Sequence, residues 1–167
     1  MERTFDFITD TCCGMPQEYI EAHGVTVLPL GYTIAGETYG GIEGKQLPPK
    51  EFYRLLREGN VCHTFQVTAE QAKPSVEASF KAGRDVVIVT FSSALSGTYE
   101  SFKFAAKKLE EAYPGRKVRV VDSKAASMGE GLFVWHVAKK RAEGATFEET
   151  EAYAQSIVQN VCHYFTV

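Results

Sequence analysis

Hydrophobic positions along this chain alternate between two spacings. Short runs rich in β-branched and aromatic residues, Thr4 to Thr9, Val25 to Leu30, Val86 to Phe91 and Lys117 to Val121, have the length and composition of buried strands. Between them the apolar residues recur every three or four positions, which predicts amphipathic helices. Pro16 opens one over Gln17 to His23, and Thr68 with Gln71 forms a capping box for another running through Ala82. Helices follow over Gly97 to Tyr113 and Met128 to Glu143, and Thr146 with Glu149 repeats the capping-box spacing for a last one. Pro48 and Pro49 start a helix through Arg57 whose stripe is Phe52, Leu55 and Leu56, and Gly59 closes it. Three stretches are less regular. Gly31 to Leu47 carries five glycines and reads as a small hairpin around Gly36, Val61 to Val67 as extended chain or loop, and Cys162 to Val167 as a closing strand.

Strands separated by single helices predict an α/β fold: a mostly parallel sheet covered by helices on both faces. Ligands in such folds sit beyond the carboxyl ends of the strands. Three loops fall there: Asp10 to Gly14, Ser92 to Thr98, and Asp122 to Ser127. In the second, the strand breaks into Ser92-Ser93-Ala94-Leu95-Ser96-Gly97-Thr98 before a helix, aiming hydroxyls and free N–H groups at one point. A carboxylate or phosphate suits that point. Thr64, just ahead of another helix, is a candidate to join it.

Composition narrows the class. The chain has 167 residues, 44% hydrophobic and 23% charged, with a net charge of −3, the profile of an ordinary soluble globule. The densest basic groups, Lys107-Lys108 and Lys139-Lys140-Arg141, lie on predicted amphipathic helices beside Glu residues, which reads as solvated surface and speaks against a nucleic-acid partner. No apolar run approaches the roughly 18 residues of a membrane span, and no signal-peptide pattern precedes the first strand, so a cytoplasmic protein is expected. Cys12, Cys13, Cys62 and Cys162 show no CxxC spacing and are expected as reduced thiols. His23, His63, His136 and His163 share no metal-binding spacing, and neither metal nor cofactor is expected.

Five segments carry a resemblance in order and spacing: Phe5 to Thr11, Val27 to Leu30, Thr64 to Thr68, Ser92 to Tyr99 as SSALSGTY, and Val121-Asp122-Ser123 through Ser127-Met128-Gly129. Together they resemble the DegV family. The resemblance implies a bacterial two-lobed fatty-acid-binding protein that buries a long acyl chain and presents its carboxylate to a separate fatty-acid kinase. It also implies that this chain, residues 1–167, is the N-terminal lobe, and the strand-like ending without a polar tail predicts that the C-terminal lobe is missing. Carried over from the family, Thr64 and Ser96 hold the carboxylate. Ser93, Gly97, Thr98, Asp10, Thr11, Phe65 and Ser127 are expected to support the pocket, and Phe65, Phe91, Leu95 and Phe102 to line an acyl groove. Phe65, Val67 and Thr68 stand where the family has Ser, Pro and Ser, and Cys12, Cys13 and Gly14 replace its polar run after the first strand.

Competing readings stay open at this level. The hydroxyls before Tyr99 are also ordinary helix caps, and Asp10 and Asp122 read as paired carboxylates, as a metal site, or as the N-caps and loop anchors common at strand ends. Ser96 as the nucleophile of a serine hydrolase or transferase needs a general base, and Leu-Ser-Gly is not the GxSxG elbow. Cys12 and Cys13 as redox thiols need a depressed pKa.

Overall fold

Successive side chains of a strand point to opposite faces, and the central strands of this protein are apolar on both. The computed structural model describes residues 4–41 and 44–164. In chain order its elements are β1 (Phe5–Asp10), a 3-10 turn (Thr11–Cys13), α1 (Gln17–His23), β2 (Val25–Leu28), β3 (Gly31–Ile34), β4 (Glu37–Gly40) and α2 (Pro49–Arg57). They continue as β5 (His63–Phe65), α3 (Ala69–Lys81), β6 (Asp85–Thr90), α4 (Thr98–Ala112), β7 (Val118–Asp122), α5 (Met128–Ala142) and α6 (Phe147–Ile157).

The expected parallel sheet is present, in the order β2-β1-β6-β7. On one face Phe5, Phe7, Val87, Val89 and Val121 pack with Ile20 of α1, Phe133, Val134 and Val137 of α5, and Phe147 and Ala154 of α6. On the other, Ile8, Val86, Ile88 and Val118 meet Val76 and Phe80 of α3 and Phe102, Ala105 and Leu109 of α4. Helices thus cover both faces, because residues of even and odd register are equally apolar. Both capping boxes form: Thr68 accepts from Gln71 N, and Thr146 from Glu149 N.

The chain runs from β1 to β2 on one side and then crosses to β6 and β7 on the other, so the strand order reverses between β1 and β6. That switch point opens a crevice at the carboxyl edge.

Elsewhere the structure adds to or departs from expectation. The glycine-rich hairpin is β3 and β4, and it recruits β5 into a separate antiparallel sheet of order β4-β3-β5, with Tyr32 opposite Thr64 and Gly31 opposite Phe65. The strand expected through Leu30 ends at Leu28, since Pro29 has no N–H and Leu30 N donates to Thr11 Oγ1 at 3.0 Å. The closing strand expected from Cys162 is not formed at 162–164, where the His163 ring lies over Gly129 at the start of α5; residues 165–167 lie outside the described residues. Phe102, expected to line a groove, is fully buried between sheet and helices, and core packing accounts for it.

The core assignment of Phe102 has a measurable consequence. Phe102→Ala should cost about 3–5 kcal/mol of stability by urea unfolding; a loss below about 1 kcal/mol would place the ring in a solvated groove.

Candidate functional site

Four parallel strands deliver their ends to one edge, and the backbone groups released there must find partners. Two aspartates supply partners for four of the backbone N–H groups. Asp10, fully buried at the end of β1, accepts from Cys12 N through Oδ1 and from Phe91 N through Oδ2, both at 2.9 Å. It therefore ties the loop after β1 to the loop after β6, across the switch point. Asp122, ending β7, accepts from Ser93 N at 3.1 Å, from the Ser93 hydroxyl at 2.6 Å and from Lys124 N at 3.0 Å. Both act as loop anchors. Ser92 N adds a bond to Ala125 O at 3.0 Å, and the Ser123 hydroxyl one to Thr90 O at 2.7 Å. The three loops expected at this edge converge.

The serine-glycine-threonine turn before α4 is held by its own hydroxyls. Ser96, half-buried, accepts from Thr98 N at 3.2 Å, and its Oγ lies 2.9 Å from Thr98 Oγ1. Neither of these partners is a base, so these bonds cap the turn and do not activate Ser96. The helix N-cap is Gly97, which has no side chain, and a Cβ there would collide with Gln66 Oε1. Gln66 Nε2 also donates to Ser101 Oγ at 2.9 Å. Through Gln66, the segment that carries Thr64 is latched onto the turn that carries Ser96. Thr64 is exposed on β5, and the ring of neighbouring Phe65 lies over Gly31, leaving Phe65 about 38% exposed. Leu95, 56% exposed, adds apolar surface beside the turn.

The other expected pocket residues are spread along the same edge. Thr11 is exposed and holds Leu30 N, and Thr98 is fully buried. Ser127, exposed ahead of α5, has φ +51° and ψ −132° and makes no side-chain cap. That conformation belongs to glycine and stores roughly 1–3 kcal/mol of strain, a feature that clusters at ligand sites.

Sequence reasoning missed two residues. Gln66 carries no motif of its own. Glu130 is wholly buried on the α5 stripe of Val134 and Val137, a legible signal, since a charge on an apolar stripe needs a reason. Its Oε1 accepts from the Thr9 hydroxyl at 3.2 Å, and its Oε2 is buried without a hydrogen-bond partner. One donor atom each from Asp10, Cys12 and Glu130 lie within 4.8 Å of one another. Burial, with the Asp10 carboxylate nearby, pushes the Glu130 carboxyl up to about 10. Burial also raises Asp10, against the bonds from Phe91 and Cys12, and it raises the Cys12 thiol and pushes Cys13 up to about 11. Thiols raised in this way are poor nucleophiles near neutral pH and lack the depressed pKa that a redox role needs.

A cleft of about 470 Å³ lies at the opposite edge, lined by Thr4, His23, Arg141 and Thr146 among others. Arg141 there donates to the carbonyls of His23 and Gly24, so its charge is already engaged by the fold. No helix among the described residues is long and apolar enough to cross a membrane.

Residues 4–167 match the family model described as an uncharacterised protein, DegV family. A DegV domain-containing protein of Clostridium perfringens is 33% identical over 99% of this chain and 57% of its own length. One from Lactococcus lactis is 32% identical over 98% of this chain and again 57% of its own. The chain thus spans little more than half the length of these relatives. Among solved structures, a Thermus thermophilus DegV family protein described by its fatty-acid binding superposes with a TM-score of 0.81 at 29% identity, over 93% of this chain and 54% of the other. A stearic-acid-binding protein from Eubacterium ventriosum gives 0.80 at 25% identity, over 93% and 52%.

Two outcomes follow from this geometry. Glu130 is protonated in the fold and ionised when unfolded, so the folded state holds the extra proton between the ordinary glutamate range and about pH 10. Stability is then highest at acid pH and falls as pH rises, by up to about 1.4 kcal/mol per pH unit for one proton. In EDTA buffer, Glu130→Gln should flatten urea-unfolding free energies between pH 5 and 8 and exceed the parent at pH 8; an unchanged slope would exclude Glu130 as its source. Ser127→Gly relieves backbone strain and should raise the Tm by roughly 2–4 °C, read by calorimetry.

Proposed function

The chain belongs to the DegV family, and on that premise we propose that it forms the N-terminal wall of a fatty-acid-binding protein and carries the grip for the carboxylate. The observation that carries this reading is the Gln66 latch, which brings the β5 segment against the serine-glycine-threonine turn at the carboxyl edge of a parallel sheet. Thr64 and Ser96 are the head-group residues of the proposal. Ser93, Gly97, Thr98, Thr11 and Ser127 form the polar surround, anchored from below by Asp10. The likeness to the fatty-acid-binding protein of Thermus thermophilus and the stearic-acid-binding protein of Eubacterium ventriosum supports the ligand class.

The energetics fit a carrier. A buried carboxylate keeps its charge only when well hydrogen-bonded, and each such bond contributes on the order of 1.5–3 kcal/mol. The acyl chain adds about 0.8 kcal/mol per buried CH₂, provided both sides of it are covered. Phe65 and Leu95 offer one apolar side here, and in this reading a second lobe, of the kind the greater length of the relatives allows, closes the tunnel. In this reading the protein performs no chemistry itself. It holds the acid in a reducing cytoplasm, where its free thiols persist, and presents the carboxylate to a kinase that phosphorylates it.

The test is ligand titration, with native mass spectrometry as a second readout. In the two-lobed protein palmitate should bind, and hexadecanol, which lacks the charge, should bind at least tenfold more weakly. Thr64→Ala with Ser96→Ala should weaken palmitate about 100-fold or more, at two lost bonds of about 1.5 kcal/mol each or greater. Equal binding of acid and alcohol, or full retention in the double variant with a native circular dichroism spectrum, would defeat the proposal.

A further inference from the structure

Glu130 presents a problem that fatty-acid binding does not answer. A carboxyl group wholly removed from water with one oxygen unpartnered is a feature a core does not hold without a reason. It sits against Asp10, a second fully buried carboxylate, and against the Cys12 sulfur, with one donor atom of each inside a 4.8 Å span. The geometry points to a divalent transition-metal site of the zinc class, formed by the Asp10 and Glu130 carboxylates and the Cys12 sulfur where α5 crosses the end of β1.

Three features support it. The donors are held by separate parts of the fold: Asp10 by backbone N–H groups of Cys12 and Phe91, Glu130 by the Thr9 hydroxyl, and Cys12 by the 3-10 turn that Asp10 caps. α5 is brought close by Gly131, where a Cβ would collide with the Cys13 carbonyl. Glu130 Oε2, aimed at no protein donor, is an oxygen ready to ligate.

The donor set selects the cation. One sulfur and two carboxylates suit Zn²⁺ or Co²⁺, whereas Mg²⁺ and Ca²⁺ need six or more oxygens. With Zn–S near 2.3 Å and Zn–O near 2.1 Å, tetrahedral donors stand about 3.5 Å apart, so loading draws the group together by about 1 Å. As the dication enters, two protons leave, one from the Cys12 thiol and one from the Glu130 carboxyl, and the buried net charge is unchanged. Three protein donors leave a fourth position for water.

The test needs no fatty acid and is separate from the proposed carrier role. The chain, purified without a histidine tag and stripped with EDTA, is titrated with Co²⁺. One equivalent should produce saturable tetrahedral d–d bands and a near-ultraviolet thiolate charge-transfer band, and Zn²⁺ should displace it. Cys12→Ser should abolish the charge-transfer band, Cys13→Ser should leave it intact, and Glu130→Gln should weaken Co²⁺ at least tenfold. Glu130→Asp gives a second acidic variant, of altered reach, should the glutamine disturb folding; it too should weaken the metal. Absence of a saturable band, its survival in Cys12→Ser, or unchanged affinity in both Glu130 variants would overturn the site.

Discussion

Asp10 is the residue on which the carboxyl edge depends. A parallel sheet gathers its strand ends on one side, and at the point where strand order reverses no strand neighbour follows to pair the released backbone. Asp10 sits there without solvent contact, one oxygen holding its own loop and the other reaching the loop after β6. A carboxylate that has lost its water needs these N–H partners as much as they need it. Asp122 repeats the device one strand further, exposed enough to hold Ser93 and Lys124 together. The hydroxyls of the serine-rich loop complete the anchoring, Ser93 on Asp122 and Ser96 on Thr98 N.

The alternation of elements was legible because it rests on local physics. Periods of two and of three to four, proline at helix starts, and Thr-x-x-Gln or Thr-x-x-Glu caps are decided within a few residues, and they located α1, α2, α3 and α6 closely. What escaped was set by distance. β5 is three residues long and exposed, with no internal pattern, and exists because Tyr32 and Thr33 of the hairpin present an edge to it. Phe102 and Leu95 look alike in sequence as apolar residues near the turn, but one enters the core between α3 and α4 while the other faces solvent.

The candidate site was legible in outline for the same reason. Hydroxyl-rich breaks after strands announce a polar edge, and three such breaks met as expected. The two residues that give that edge its structure were hidden. Gln66 matters through Gly97 and Ser101, more than thirty residues away, and only the close approach that glycine permits reveals the latch. Glu130 was readable in principle, since it shares a helical face with Val134 and Val137, yet its partners Thr9, Asp10 and Cys12 come from the far end of the chain.

The proposed carrier divides its labour unevenly between head and tail. At about 0.8 kcal/mol per methylene, a long acyl chain between two apolar walls outweighs any pair of hydrogen bonds in affinity. The hydroxyl grip therefore decides less how tightly a ligand is held than which end lies at the carboxyl edge and whether that end is charged. In this proposal the grip lies where Gln66 joins the β5 segment to the turn before α4, while the apolar contribution falls to side chains such as Phe65 and Leu95. If the proposed carrier presents its carboxylate to a kinase, that group must be displaced by less than about an ångström to stay aligned for phosphoryl transfer. Short hydroxyl side chains on backbone held by Gln66 and the aspartates meet that demand better than a flexible lysine or arginine, whose charge would also hold the product after transfer.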